Sequence, residues 1–246
     1  MFPFLPVAPR TNILVQHPNI APIVSRTDGK MVGCLKFVKD EGKEIEILRY
    51  LAGIPSESNH TVRLIGIWPV TGGSIIAMPV AGNYLTDLND LDTHLWSLST
   101  QIFEAVKFMH DHNVAHMDLK PSNLLIPSEY GRLTVVDFGL SFRVRNNAQL
   151  LEGHAGTEGY IAPEVGTTKF RPIRADLWSV GKVIQELCML CGPFPARDWL
   201  LLVSKQLLNR DPNKRPMMTE ILQWMQNFDT IEIPHDGHFR YLLTLL

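Results

Sequence analysis

The stretch 114–139 reads VAHMDLKPSNLLIPSEYGRLTVVDFG, and the fold turns on it. His116, Asp118, Lys120 and Asn123 fall close together, followed by an apolar run (Leu124, Leu125, Ile126), a polar turn, a second apolar run (Leu133 to Val136), and Asp137-Phe138-Gly139. Short apolar runs bounded by turn residues predict strands, so the pattern is loop, strand, turn, strand, loop. A hairpin returns its polar ends to one edge, which sets Asp118, Lys120 and Asn123 beside Asp137. Two carboxylates, an amide and an ammonium suit a hydroxyl, a polyphosphate and a divalent cation. Asp and Asn supply the hard oxygen ligands that Mg²⁺ prefers. A second carboxylate can take a hydroxyl proton, and Lys can offset charge on a transferring phosphoryl group.

Any one of these residues alone would pass as a surface charge near a turn. Together, HMDLKPSN (116–123) and the DFG at 137–139 resemble the catalytic loop and metal-binding loop of eukaryotic protein kinases. The resemblance implies an α+β, bilobal fold with a small β-rich amino-terminal lobe and a mainly helical carboxy-terminal lobe. It spans residues 12–227, divided into lobes at 12–80 and 82–227, with an irregular lead-in at 1–11 and a tail at 228–246. It further implies that Asp118 is the base, that Asn123 and Asp137 hold Mg²⁺, and that Lys120 contacts the γ-phosphate of ATP and the nucleophile.

Bulk composition is compatible with this. At 246 residues, 45% of them hydrophobic, the chain can bury a sizeable core in one two-lobed domain or two small ones. A net charge of −2 argues against binding nucleic acid or an acidic membrane through bulk charge. Three cysteines make no disulfide framework, and Cys188 and Cys191 lie in an apolar helical pattern as packing residues. No apolar run reaches the roughly 18–20 residues that span a bilayer, and the proline-punctuated start, MFPFLPVAPR, lacks the form of a signal peptide. The expected location is cytoplasmic or nuclear, and the expected state a monomer.

Upstream, strands are expected at Ile13–Val15, Ile20–Val24 and Met31–Val38, the last two joined by a Thr27-Asp28-Gly29-Lys30 turn. Lys36 lies inside the third. By the resemblance it holds the α- and β-phosphates and pairs with a glutamate on the next helix, expected at Asp40–Leu51. Glu44 matches that partner, with Glu46 and Glu41 as alternatives, because Glu44 follows Lys36 unusually closely. Cys34 matches the small residue that covers adenine, and Leu125 belongs to the same nucleotide-binding set. Strands at Thr61–Ile67 and Ser74–Met78 lead to MPVAG (78–82), which resembles the hinge. There Met78 takes the gatekeeper place, and the Pro79 carbonyl and Ala81 N–H face the adenine edge.

One departure is large. Kinases cover the phosphates with a glycine-rich loop, because backbone N–H groups approach phosphate only where side chains are absent. The matching segment here, QHPNIAPIV (16–24), has no glycine and two prolines.

Downstream, a helix is expected at Asp92–Asp111, stopping at Asn113. GTEGYIAPE (156–164) resembles the end of an activation segment, and Lys120 with Thr157 follows the serine/threonine pattern. Met117 stands where many kinases have arginine, and residues 142–156 contain no serine, threonine or tyrosine. Activation-segment phosphorylation is therefore not expected to be needed. A buried helix is expected from Asp176 to about Cys191, its Asp176 tying down the catalytic-loop backbone, and short helices at Trp199–Leu208 and Thr219–Asn227. In RDPNKRP (210–216), Arg215 is the expected partner of Glu164. The region that usually binds peptides is trimmed. The sequence thus reads as a serine/threonine protein kinase using ATP, Mg²⁺ and a protein hydroxyl. The alternative is a kinase-like scaffold with weak or no ATP binding; a small-molecule kinase fits the APE and DLWSVG elements less well.

Overall fold

The computed structural model describes residues 5–6, 19–39, 42–79, 82–85, 88, 90–127 and 130–229. Expected features at 13–15, at Glu41, at Ala81 and beyond 229 lie outside the described residues. Five antiparallel strands build the amino-terminal sheet: Leu5–Pro6 (β1), Ile20–Val24 (β2), Met31–Lys39 (β3), Gly66–Val70 (β4) and Gly73–Pro79 (β5). Their order is β1-β2-β3-β5-β4. β1 is a two-residue strand inside the stretch expected to be irregular. The Asp-Gly turn closes as the sequence predicts, with Gly29 at φ +69° and its N–H donating to the Ser25 carbonyl at 3.0 Å.

Between β3 and β4 runs the helix Lys43–Ala52 (α1), which buries Ile45, Ile47, Leu48 and Leu51. It starts three residues later than expected, after Gly42 at φ +81°, a left-handed conformation that glycine adopts without strain.

The strand expected at Thr61–Ile67 is displaced. β4 begins only at Gly66, and the turn of its hairpin is Thr71-Gly72. Residues 60–62 instead bond to the other lobe: the Val62 N–H donates to the Val135 carbonyl at 3.0 Å, and the Val135 N–H to the His60 carbonyl at 2.8 Å. Pro69 falls within β4, where it is tolerated because β4 is an edge strand.

The carboxy-terminal lobe opens with Asn83–Tyr84 (β6) and Leu91–Asp111 (α2), whose Leu95, Leu98, Ile102, Phe103, Val106 and Met109 are buried. α2 stops before Asn113, at φ +58°, a region asparagine reaches more readily than most residues. Short strands follow at Val114–Ala115 (β7), Leu124–Ile126 (β8), Thr134–Val135 (β9) and Phe142–Arg143 (β10). β8 pairs with β9 and β6, and β10 pairs with β7.

The helices Pro172–Met189 (α3) and Pro195–Leu207 (α4) each begin about four residues before the expected position, both with proline in the first turn. There a missing N–H costs nothing, so the prolines start these helices rather than precede them. Met218–Asp229 (α5) completes the lobe. α3 is central: Leu177, Val180, Val183, Ile184 and Leu187 are fully buried, and a Cβ on Gly181 would lie 2.8 Å from the Leu207 Cβ. One apolar core runs from Leu48 through Phe138 to Trp199. Among the described residues, no helix is long and apolar enough to cross a membrane.

Candidate active site

β3 carries Lys36 into the space between the lobes. Its ammonium lies 2.7 Å from Glu44 Oε1, in the first turn of α1, and 2.6 Å from Asp137 Oδ1, just beyond β9. Of the expected partners, Glu44 makes the pair; Glu46 is exposed on the same helix. Burial works against the charge on Lys36, but the Glu44 and Asp137 carboxylates outweigh it and hold Lys36 above its ordinary value. One ammonium shared by two carboxylates treats them unequally. Burial pushes Glu44 up, only partly offset by Lys36. Burial also opposes the charge on Asp137, yet Lys36 prevails and holds that carboxyl below the usual range. Gly139 leaves room for this triad: a Cβ there would lie 3.3 Å from Asp137 Oδ1 and 3.7 Å from Glu44 Oε2.

The second cluster centres on Asp118, which is buried. Its Oδ2 lies 2.9 Å from the Lys120 ammonium, and its Oδ1 accepts from the Thr157 hydroxyl at 2.6 Å. Lys120 also donates to Thr157 Oγ1 at 2.6 Å. Asn123 turns its amide nitrogen to the Asp118 carbonyl at 2.8 Å and to Oδ2 at 3.2 Å. Sequence reasoning used Thr157 only to choose a substrate class. Its place in GTEGY was the available signal, but contact with a residue 39 positions away is not written in that spacing.

His116 joins the two clusters. Its Nε2–H donates to the Val136 carbonyl at 3.0 Å, and its Nδ1 accepts the Asp118 N–H at 3.3 Å, so both bonds together select the neutral tautomer. Burial holds this imidazole below its ordinary value, in keeping with that state. The Val136 N–H bonds the Asn123 carbonyl at 3.0 Å, tying the loop before β8 to the residue preceding Asp137. Met117 and Asp137 both take left-handed backbone conformations, at φ +67° and +64°. Such conformations persist where surrounding bonds over-determine them. At Met117 the fixing group is Asp176 of α3, fully buried, which accepts the N–H groups of His116 at 2.7 Å and Met117 at 2.8 Å, and His110 Nε2 at 3.0 Å.

The remaining expected residues lie in the sheet, the β8 hairpin and the α3 region. Cys34 sits in register between Pro22 of β2 and Met78 of β5, and its thiol is pushed up by burial. Pro79 opposes Gly33, where a Cβ would meet the Met78 carbonyl at 2.5 Å. Leu125, half-buried in β8, lies between Tyr84 and Thr134. Arg215 forms a two-pronged pair with Glu164, at 2.6 and 2.8 Å, with no side-chain exposure.

Among the described residues no cluster of three or more His, Cys, Asp or Glu could hold a metal alone. The donor set still fits Mg²⁺, which is commonly held by one or two protein oxygens completed by phosphate and water. Asp137 keeps a partly exposed carboxylate, and Asn123, with its nitrogen committed to Asp118, has its amide oxygen left to accept. Both oxygens belong to segments that the Val136–Asn123 bond ties together.

The family model for the protein kinase domain matches residues 36–200, more than half of the chain. CDPK-related kinase 5 of Arabidopsis thaliana is 31% identical over 239 residues, covering 81% of this chain and 38% of the relative. CBL-interacting protein kinase 16 of Oryza sativa subsp. japonica is 37% identical over 179 residues, covering 69% and 38%. Calcium-dependent protein kinase 6 of Plasmodium berghei is 31% identical over 170 residues, covering 58% and 11%. The chain thus spans well under half the length of these relatives. With an ammonium held between helix and DFG carboxylates, and a lysine and a threonine on the loop aspartate, the chain belongs to the protein kinase domain family.

Proposed function

We propose that the chain is a serine/threonine protein kinase that moves the γ-phosphoryl group of ATP to a protein hydroxyl. The observation that carries this reading is the pair of clusters that His116 joins: Lys36 between Glu44 and Asp137, and Asp118 held by Lys120, Thr157 and Asn123. The substrate oxygen attacks the γ-phosphorus, its proton passes to Asp118, and ADP leaves. Lys120 offsets charge on the oxygens in transfer, while Lys36 holds the α- and β-phosphates with Glu44 as its tether. Asn123 and Asp137 would hold Mg²⁺, which would supply charge neutralisation of the phosphates. Cys34, Met78, Pro79, Ala81 and Leu125 form the adenine side. The domain occupies residues 12–227.

One observation favours a second reading, a kinase-like scaffold with little affinity for ATP. β2 spells Ile-Ala-Pro-Ile-Val and sets Pro22, which has no N–H, opposite Cys34. Such a roof offers phosphates fewer backbone donors than a glycine-rich loop.

Two measurements separate the readings. Under the enzyme reading, millimolar ATP raises the melting temperature only with Mg²⁺ present, and Asp118→Asn lowers phosphate transfer to a serine or threonine peptide by about 10²- to 10⁴-fold. No shift with ATP, or transfer unchanged in Asp118→Asn, overturns it.

A further inference from the structure

α1 is held at its first turn by Glu44, and its last turn meets a second holder. The guanidinium carbon of Arg143, in β10, lies 3.8 Å from the centre of the Tyr50 ring, well inside the range of a cation–π contact. Tyr50 is half-buried against the main core, and Arg143 is exposed, its backbone paired with Val114 of β7. Six residues separate Glu44 from Tyr50, about 9 Å along the helix axis. A helix tied at one end can pivot about that tie, whereas ties at both ends fix its direction. Both ties of α1 lead to the same short segment, since Asp137, the other partner of Lys36, precedes Arg143 by only one turn and one strand.

We infer that Tyr50 and Arg143 are positioning residues: their stack fixes α1 on β10 and so keeps Glu44 on Lys36 without a phosphate on the activation segment. Residues 142–156 offer no hydroxyl to phosphorylate. An apolar cluster of Met117, Val144, Ala162 and Phe170, with Phe142 and Leu151 against it, fills the space around that segment. This packing fastens the segment to its own lobe, and the stack carries that order across to the helix.

The effect on rate rests on the kinase reading above, while the effect on the helix does not. The test uses the full chain and two readouts, with folding of each variant checked by its melt. In hydrogen exchange, Arg143→Gln and Tyr50→Leu speed exchange of the α1 amides by similar factors, and the double variant is no faster than either single one. Arg143→Lys and Tyr50→Phe, which keep the cation and the ring, restore slow exchange. In phosphate transfer, Arg143→Gln lowers kcat about fivefold and leaves the KM for peptide unchanged. Unchanged α1 exchange in Arg143→Gln, additive effects in the double variant, or accelerated exchange with kcat unaltered would each overturn the inference. Should Tyr50→Leu fail to fold, Arg143→Gln alone decides, because its side chain is exposed. Absence of any Asp118-dependent transfer in the unmodified chain would sink the kinase reading and leave the exchange readout to judge the stack.

Discussion

At the scale of single residues, a few side chains each satisfy several partners. Asp176 is the clearest: no part of it is exposed, and it accepts from two consecutive backbone N–H groups and from His110. Asp176→Ala leaves those donors buried without an acceptor, and urea unfolding should show a loss on the order of 3–5 kcal/mol. The neighbouring left-handed Met117 then loses the acceptor of its N–H, so under the proposed function transfer should fall even in molecules that remain folded. The closeness of Asn123 to Asp118 was legible in the sequence because both lie in one short loop, whereas Glu44 was only one of three candidates for Lys36 until the start of α1 fixed the pair. Thr157 and the bridging role of His116 were not legible. Their contacts, to Asp118 and Val136, are fixed by how the loops fold over one another, which no local spacing encodes.

At the scale of elements, the activation segment is stapled twice by backbone bonds. β10 pairs with β7, and Leu151 exchanges bonds with Phe170 at 2.8 and 3.0 Å. Between the staples lies an apolar filling that includes Met117, where a phosphate-binding arginine would need solvent or an anion. Treating the pure protein with a phosphatase should therefore leave peptide phosphorylation unchanged, and mass spectrometry should find no phosphate on residues 142–156. Loss of activity on dephosphorylation would count against this account. Elements with strong helical periodicity were legible from sequence, as α2 illustrates, and β8 was legible as a short apolar run bounded by turn residues. The strand expected at Thr61–Ile67 was misplaced because His60 and Val62 give their backbone bonds to Val135 in the other lobe, an arrangement apolar content cannot reveal. α3 and α4 begin earlier than expected because proline acts there as a starter.

At the scale of the whole molecule, two buried histidines link stability to pH. His116 and His60 both lie below their ordinary value of 6.5, chiefly through desolvation. Above that value neither state carries the extra proton. Below it the unfolded chain binds protons that the folded rings resist, so stability falls with pH until the folded rings titrate as well. Each ring contributes a slope of up to about 1.4 kcal/mol per pH unit within that window. Urea midpoints should accordingly be lower at about pH 5.5 than at about pH 7.5, and replacing His60 by Gln should flatten the difference. An unchanged midpoint would show that both rings are protonated in the folded protein.

The crossing of residues 60–62 to β9 bears on how the chain comes apart. A seam between lobes usually opens before either side melts, yet here two backbone bonds and a shared apolar interior straddle it. Calorimetry should thus record a single endotherm whose van 't Hoff and calorimetric enthalpies agree, rather than two. The small sheet then has no separate melting point of its own, and damage on either side of the cleft is felt as a loss of cooperativity throughout.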